Sequence, residues 1–226
     1  QAHGLEGMDR LTYIDFGDAK LTNVDNFAFR FCESLSNVTF PETLTNIGRY
    51  AFYGCKNLKK VTGIENVQLI NIEAFYGCSI EGTLNLAGVH AVGDYAFYAN
   101  HNIEEVIIPD TIRSVGAFAF TDNTSLKTVT INADKLKIGN YVFSGCKSLE
   151  EITVNAPVIP TGAFYNCSSL KYVTIGKDVD DAYIKSVREE SMGVQIPHDL
   201  KVLYTPLHGS GNIPVRRILS EIGVKN

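Results

Sequence analysis

The sequence contains 226 residues, of which 45% are hydrophobic, and its formal net charge is −5. This hydrophobic content is typical of a folded chain and argues against intrinsic disorder. The negative charge argues against a nucleic-acid partner, because phosphate binding needs a basic surface. No apolar segment approaches the ~20 residues that a membrane-spanning helix needs. No signal peptide begins at Gln1, which leaves the cellular compartment open.

Residues 1–25 read as a degenerate first copy of a repeat. Leu11, Ile14 and Phe16 follow the strand pattern of the later copies, and Leu5 and Met8 take the places of a recurring Phe and of a small residue three positions after it. Terminal repeats of a solenoid are usually atypical because one face has no neighbour. We therefore expect this segment to form the first coil.

A phenylalanine then recurs at nearly constant spacing. Successive copies are 23, 23, 22, 23, 23 and 21 residues apart. Self-similarity with a period of about 20–50 residues predicts a repeat solenoid or a propeller. The recurring residues are Phe29, Phe52, Phe75, Phe97, Phe120, Phe143 and Phe164.

The first half of each full repeat reads (Ile/Val)-Gly-x-x-Ala-Phe-x-x-(Cys/Asn), as in residues 47–55. We interpret the Gly as a position where the backbone turns in a way that a side chain would prevent. The Ala allows neighbouring coils to approach closely, and the Phe fills the centre of its coil. Replacing such a buried Phe by Ala should cost about 3–5 kcal/mol.

All five cysteines lie three residues after a repeat Phe, and in the two remaining repeats Asn100 and Asn123 take that place. A position shared by Cys and Asn indicates a small side chain that hydrogen-bonds to the backbone of a turn. Disulfides between adjacent coils are the alternative, but the odd number of cysteines and the Asn substitutions argue against them. The absence of any CxxC pair argues against a metal site, and we expect no cofactor.

The second half of each repeat reads Leu-x-x-Val-x-Ile, as in residues 126–131. Its last two apolar positions are two residues apart, which is the spacing of a strand with one buried face. Seven such strands, stacked at about 4.8 Å, predict a parallel sheet about 30 Å long. Its outward side carries a Thr-rich column flanked by Lys60, Glu105, Glu151 and Tyr172, a surface that could receive a protein or a glycan.

Aromatic residues flank the repeat Phe, either two positions before it or one position after it, as at Tyr53, Tyr76, Tyr98 and Tyr165. Stacked coils would align these rings into ladders. Such ladders form a binding face in one interpretation, since Tyr is enriched at interface hot spots, and only stiffen the solenoid in the other. The candidate binding face comprises Tyr50, Tyr95, Phe118, Tyr141 and Tyr172.

Residues 5–176 resemble the leucine-rich repeats of the BspA-like, or Treponema-type, class. The resemblance rests on Leu-x-x-Val-x-Leu-Pro followed by Ile-Gly-x-x-Ala-Phe-x-x-Cys, repeated in phase. Local departures are Glu73 and Gly162 before Ala-Phe, Val142 in place of Ala, and a turn shortened at Ser79–Ile80. The resemblance implies a right-handed solenoid of about seven repeats, secreted or at the cell surface, that binds or adheres to partners and has no catalytic role.

The repeat stops at residue 176, and residues 177–226 form a second, α/β segment. A polar helix is predicted over 178–190, a strand over 201–205 and an amphipathic helix over 213–222. The Gly-rich turn His208-Gly209-Ser210-Gly211 is a candidate anion loop or an ordinary strand-to-helix turn. A piece this small cannot bury a core alone, so we expect it to dock on the last repeat as a cap, or on a second copy of the chain.

This tail resembles a stretch of the phosphoglucomutase/phosphomannomutase family, carried by Lys201-Val202-Leu203-Tyr204-Thr205-Pro206-Leu207-His208-Gly209-Ser210-Gly211-Asn212. The resemblance implies an alternative function, as part of a phosphohexomutase-related enzyme. The family's phosphoserine, metal, sugar and terminal phosphate loops are missing from this sequence, which argues against that activity. We therefore predict that the chain is not an enzyme.

Overall fold

The computed structural model describes residues 4–131, 133, 135–154, 159–175 and 201–204. These residues form parallel coils built almost entirely from strands and turns, with one 3-10 helix at Ile64–Asn66. Within the described residues the strands are Tyr13–Asp15 (β1), Asn23–Val24 (β2), Asn37–Thr39 (β3), Asn46–Ile47 (β4), Lys60–Thr62 (β5), Leu69–Ile70 (β6), Gly82–Asn85 (β7), Ala91–Val92 (β8), Ile103–Ile108 (β9), Ser114–Val115 (β10), Thr128–Ile131 (β11), Lys137–Ile138 (β12), Glu151–Val154 (β13), Tyr172–Ile175 (β14) and Lys201–Tyr204 (β15).

The longer strand of each coil forms the broad side of the solenoid. These strands pair in parallel and in register, so that Val129 of β11 lies opposite Val106 of β9 and Ile152 of β13. The predicted continuous sheet is wrong at one place, because the strands divide into β1-β3-β5 and β7-β9-β11-β13-β14-β15. The division falls where the repeat is one residue shorter, and the register of β7 shifts between Gly82 and Thr83.

Another parallel sheet, which the sequence did not predict, lies on a second side of the coils, at the (Ile/Val)-Gly positions. It contains β2, β4, β6, β8, β10 and β12, each only two residues long. Its apolar residue points into the core, as at Ile47 and Ile70, which are fully buried and opposite each other. Each coil is therefore held to the next on two sides.

The repeat phenylalanines form one continuous column inside the coils, as predicted. Phe52, Phe75, Phe97, Phe120 and Phe143 are completely inaccessible to solvent. From Phe29 to Phe164 the neighbouring ring centroids are 5.2, 5.2, 5.3, 5.4, 5.5 and 5.9 Å apart, and all six pairs are stacked. Because only adjacent coils cover each ring, no repeat could bury its Phe alone.

The interpretation of the repeat glycine as a turn-former was wrong. Gly48 and Gly93 do not have a positive φ. Instead, a Cβ on Gly48 would lie 2.6 Å from the backbone N of Asn26, and a Cβ on Gly93 would lie 2.5 Å from the backbone N of Ile72. The glycine is needed because the backbone of the preceding coil passes directly against it. At the Ala position the coils are close together: Ala51 is fully buried, and its carbonyl oxygen accepts a hydrogen bond from Phe29 N of the preceding coil at 2.8 Å.

The first coil and the tail both extend the stack. β1 pairs with β3, with Ile14 opposite Val38, as expected for a degenerate first repeat. At the other end, β15 pairs in parallel with β14 and continues the sheet. The predicted helices over 178–190 and 213–222 lie outside the described residues.

Candidate functional site

Each coil turns with the same backbone conformation around its Phe. The residue two positions before the Phe and the residue two positions after it both have a positive φ, for example Tyr50 and Gly54 around Phe52. Left-handed backbone is unfavourable for residues other than Gly. The positions before the Phe nevertheless carry Phe27, Tyr50, Glu73, Tyr95, Phe118 and Tyr141, all with φ between 54° and 60°.

These residues form the upstream ladder, defined as Phe27, Tyr50, Glu73, Tyr95, Phe118 and Tyr141. Phe27 and Tyr50 stack with centroids 5.0 Å apart, and Tyr95, Phe118 and Tyr141 stack at 4.8 and 5.2 Å. Glu73 interrupts the ladder, so it consists of two stacked parts. Phe118 has a ring on each side, which leaves it little free face to offer a ligand.

The downstream ladder consists of Tyr53, Tyr76 and Tyr98, one position after the Phe. Its centroids are 4.7 Å apart at both steps. The Tyr98 hydroxyl donates a hydrogen bond to Asp122 Oδ2 at 2.9 Å. This hydrogen bond, aided by burial and by the charge of Asp122, raises the pKa of Tyr98 to about 12. Tyr165 is separate from this ladder and contacts Tyr141 edge-on at 6.4 Å.

Arg30 occupies the position of a ring at the start of the downstream ladder. Its guanidinium carbon lies 4.5 Å from the centroid of Phe31 and 5.6 Å from the centroids of Phe27 and Tyr53. Arg30 Nη1 is 3.4 Å from Glu6 Oε1. The chain therefore already holds one planar cation among aromatic rings and beside a carboxylate, an arrangement that the sequence analysis missed.

The cysteines and the two equivalent asparagines share one structural role, as predicted. Each donates a hydrogen bond to the carbonyl oxygen at the Phe position of the preceding coil: Cys55 Sγ to Phe29 O at 3.1 Å, and Asn123 Nδ2 to Phe97 O at 2.9 Å. In the first coil Leu5 supplies that carbonyl to Cys32. Burial raises the pKa of Cys55 to about 12, so the thiol stays protonated and donates. All five cysteines are free and buried.

The strand face is the outward side of β7, β9, β11, β13 and β14. One row runs Thr83, Glu105, Thr128, Glu151 and Tyr172, and a second runs Asn85, Ile107, Thr130 and Thr153. Thr83 Oγ1 donates to Glu105 Oε2 at 2.9 Å. Tyr172 thus belongs to the strand face and not to the ladders, so the five residues of the candidate binding face lie on two different surfaces.

The described part of the chain contains no cluster of His, Cys, Asp and Glu that could hold a metal ion. In the same ranges, no helix is long and apolar enough to cross a membrane. The candidate anion loop His208-Gly209-Ser210-Gly211 lies outside the described residues. The strand face and the two ladders are therefore the candidate binding surfaces.

Parallel strands along two sides of the stack, an internal Phe column and one coil per repeat define a leucine-rich repeat solenoid. The profile of the BspA type leucine rich repeat region, in 6 copies, matches residues 3–87 and 70–189. The chain therefore belongs to the BspA-type leucine-rich repeat family. No curated protein matches the sequence, and the resemblance of the tail to phosphohexomutases finds no support in these comparisons.

Solved structures of bacterial leucine-rich repeat proteins are similar to this chain. The T. pallidum leucine rich repeat protein has 24% identity and a TM-score of 0.63, over 81% of this chain and 85% of that one. A protein from Bacteroides ovatus ATCC 8483 has 21% identity and a TM-score of 0.48 over 76% of this chain, which spans 64% of its length. A leucine rich cell surface protein from Faecalibacterium prausnitzii A2-165 has 18% identity and a TM-score of 0.47, over 96% of this chain and 83% of that one. The T. pallidum protein shares the fold.

Proposed function

We propose that this chain is a non-catalytic binding scaffold at the cell surface, which receives a protein or a glycan on the strand face. The observation that carries this proposal is the in-register alignment of outward side chains over five neighbouring strands. Strand pairing fixes these side chains at about 4.8 Å intervals. Such a surface is rigid before binding, so little conformational entropy is lost when a partner contacts it.

The chemistry of the strand face fits a broad, weakly polar contact. Thr130, Thr153 and Ile107 are half-buried and β-branched, which holds their rotamers fixed. Glu151 and Tyr172 are exposed beside them and can supply a charge and an aromatic anchor. Membership of the BspA-type family supports the proposed surface location, because the members that the sequence resembles are mostly secreted or surface proteins.

Binding is tested by applying the purified chain to an array of glycans and of extracellular proteins, and by measuring saturation for every hit. Thr130→Arg with Thr153→Arg places two bulky cations on the strand face. We expect this pair to weaken a true contact at least about tenfold. Thr161→Arg, at an exposed position in a turn, is the matched control and should leave binding unchanged. The proposal is contradicted if the paired substitutions leave the affinity unchanged, or if no glycan or protein binds saturably.

The surface location is tested separately. Brief proteinase treatment of intact cells of the source organism should remove the chain while cytoplasmic marker proteins stay whole. Survival of the chain until the cells are lysed would exclude a surface role without bearing on whether the strand face binds a partner.

A further inference from the structure

The upstream ladder has one rung with no ring. Glu73 has a φ of 54°, close to the 57° of Tyr50 and the 55° of Tyr95 on either side, so its side chain leaves the backbone in the same direction as theirs. The backbone hydrogen bonds continue through this coil, with Tyr50 N to Ile72 O at 3.1 Å and Glu73 N to Asp94 O at 2.9 Å. The coil is therefore intact, and the ladder lacks only the ring.

The missing ring leaves a slot between Tyr50 and Tyr95. Consecutive coils lie about 4.8 Å apart, so these two rings, two coils apart, are separated by about 10 Å. Phe27 covers the far side of Tyr50, and Phe118 covers the far side of Tyr95. Their inner faces point toward each other across the space that one stacked ring would fill.

A third tyrosine lies on the same coil as Glu73 and borders this space. Tyr76 is stacked between Tyr53 and Tyr98, and these two rings tilt against the walls of the slot, Tyr53 on Tyr50 at 5.8 Å and Tyr98 on Tyr95 at 5.9 Å. The downstream ladder therefore runs alongside the slot and fixes both of its walls.

The slot carries a negative charge. The charge of Glu73, burial and a hydrogen bond to Glu73 raise the pKa of the Tyr50 phenol, and the more weakly acting cations of Arg49 and Arg30 lower it by less. Glu73 is only half-buried, so the slot is open to solvent. Among the described residues, no lysine or arginine forms an ion pair with Glu73. A carboxylate between two aromatic faces favours a cation.

Arg30 shows which cation the ladders accept. Its guanidinium replaces a ring in front of Tyr53, contacts Phe31 and Phe27, and pairs with Glu6. A guanidinium group is planar, so it has the thickness of the absent ring, and its donors match a carboxylate. An ammonium group shares the charge and lacks this shape.

We propose that the slot formed by Tyr50, Glu73 and Tyr95 binds the guanidinium group of an arginine side chain presented by a partner protein. The arginine completes the upstream ladder by stacking between the two rings and pairing with Glu73. This site lies on the turns and not on the strand face, so it does not rest on the function proposed above. Substitutions on the strand face leave it unchanged.

The test uses the full chain and three short peptides that differ only in one central residue: arginine, citrulline or trimethyllysine. Citrulline keeps the planar shape of arginine and removes its charge, and trimethyllysine keeps the charge and removes the planarity. The chain has 11 Tyr and no Trp, so quenching of tyrosine fluorescence reports binding, and calorimetry confirms it. We expect the arginine peptide to bind at least about tenfold more tightly than the citrulline peptide.

Two substitutions at one position separate binding from folding. Glu73→Gln keeps the size of the side chain and should weaken arginine binding about tenfold with an unchanged urea midpoint. Glu73→Tyr restores the ring, should abolish binding and should raise the urea midpoint. Glu65→Gln, at an exposed carboxylate, is the control and should bind like the unmodified chain.

Four results would overturn the proposal: no binding of the arginine peptide, equal binding of the citrulline peptide, equal binding by Glu73→Gln, or binding of trimethyllysine as tight as that of arginine. The last result would assign the slot to methylated ammonium groups.

Discussion

A cysteine thiol and an asparagine amide fill the same position in this solenoid because both donate a hydrogen bond to the same backbone carbonyl of the preceding coil. Cys78 Sγ donates to Phe52 O at 3.2 Å, and Asn100 Nδ2 donates to Phe75 O at 2.7 Å. A buried carbonyl without a donor would cost about 1–3 kcal/mol. The cysteines are therefore structural donors, and their raised pKa keeps them protonated and unreactive.

The residues of the upstream ladder have a left-handed backbone, and ring stacking offsets the free energy that this conformation costs. A non-Gly residue with positive φ costs about 1–2 kcal/mol, and a stacked aromatic pair contributes about 0.5–1.5 kcal/mol beyond its buried area. At Gly162 the backbone conformation is the same, and the ring is absent. Tyr141 then has no ring to stack on in the next coil and meets Tyr165 at 80°. Stacking between the rings of successive coils therefore offsets the free-energy cost of the left-handed residue at each turn.

The thiols predict a loss of stability at alkaline pH. In the unfolded chain they ionise near pH 9, whereas burial raises the pKa of Cys55 and Cys167 to about 12 in the folded chain. Above pH 9 the unfolded state therefore binds fewer protons than the native state, and the free energy of unfolding falls until pH reaches about 12. Urea titrations between pH 8 and pH 10.5 measure this fall.

Tyrosines also titrate in this range, so a matched variant is needed. Cys55→Asn with Cys167→Asn uses the residue that the chain itself places at this position, and it should show a shallower fall with pH. A fall of the same steepness in the variant would assign the effect to the tyrosines instead.

At the scale of the strands, the sequence predicted what is periodic and missed what is not. The strand spacing of two residues is visible at Val129 and Ile131, and the Phe period fixes the stack. The two-residue strands such as Ser114–Val115 have no period of their own, because their pairing comes only from the neighbouring coils. The left-handed backbone at Tyr50 and Glu73 was equally invisible, since aromatic and acidic residues seldom adopt it.

The candidate site was predicted only in part for the same reason. Tyr50 and Tyr95 were identified as aligned aromatics, which the stacking supports. In the sequence Glu73 stands out only as a departure from the repeat, although a carboxylate in an aromatic position is the visible sign of a gap in the ladder. Tyr172 was grouped with them because the sequence does not show that strand and turn positions face different surfaces.

The close contact between coils at the repeat glycine gives the next prediction. Gly93→Ala would force a methyl group against the backbone of the preceding coil, 2.5 Å from Ile72 N and 2.6 Å from the carbonyl carbon of Asn71. Backbone cannot rotate away as a side chain can, so the coils must separate, and we expect a loss of at least about 2–3 kcal/mol in the free energy of unfolding. Urea denaturation followed by circular dichroism measures the change.

Gly77 supplies the contrasting control. It has a φ of +64° and nothing within 4 Å of an added Cβ. Gly77→Ala therefore carries only backbone strain, which should amount to about 1 kcal/mol. A loss from Gly93→Ala no larger than that from Gly77→Ala would show that the neighbouring coil accommodates the methyl group, and would contradict close approach as the reason for the repeat glycine.

On the scale of the whole molecule, each coil is stabilised by its contacts with the neighbouring coils. Each Phe, each Cys donor and each strand has its partners in the adjacent coils, as in other repeat arrays. In the part of the chain that the structure describes, four ion pairs between exposed side chains also join neighbouring coils, at Lys56–Glu33, Lys59–Glu81, Lys127–Glu104 and Lys171–Glu150. Ion pairs between side chains this exposed each contribute little to the free energy of unfolding. The stability of the last coil therefore depends on the segment that pairs with the outer edge of its strand.

That edge is covered by Lys201–Tyr204, which pairs with Tyr172–Ile175. β14 would still pair with β13 after deletion of residues 176–226, but the amide and carbonyl groups on its outer edge would have no strand partner. An open parallel edge is a template for pairing with another chain. We expect the shortened chain to self-associate in a concentration-dependent way and to unfold at lower urea. Light scattering coupled to size-exclusion chromatography measures the first effect.

Deleting only residues 205–226 keeps β15 and is the control, which should match the full chain in both measurements. A chain ending at residue 175 that stays monomeric and equally stable would show that β15 has no capping role.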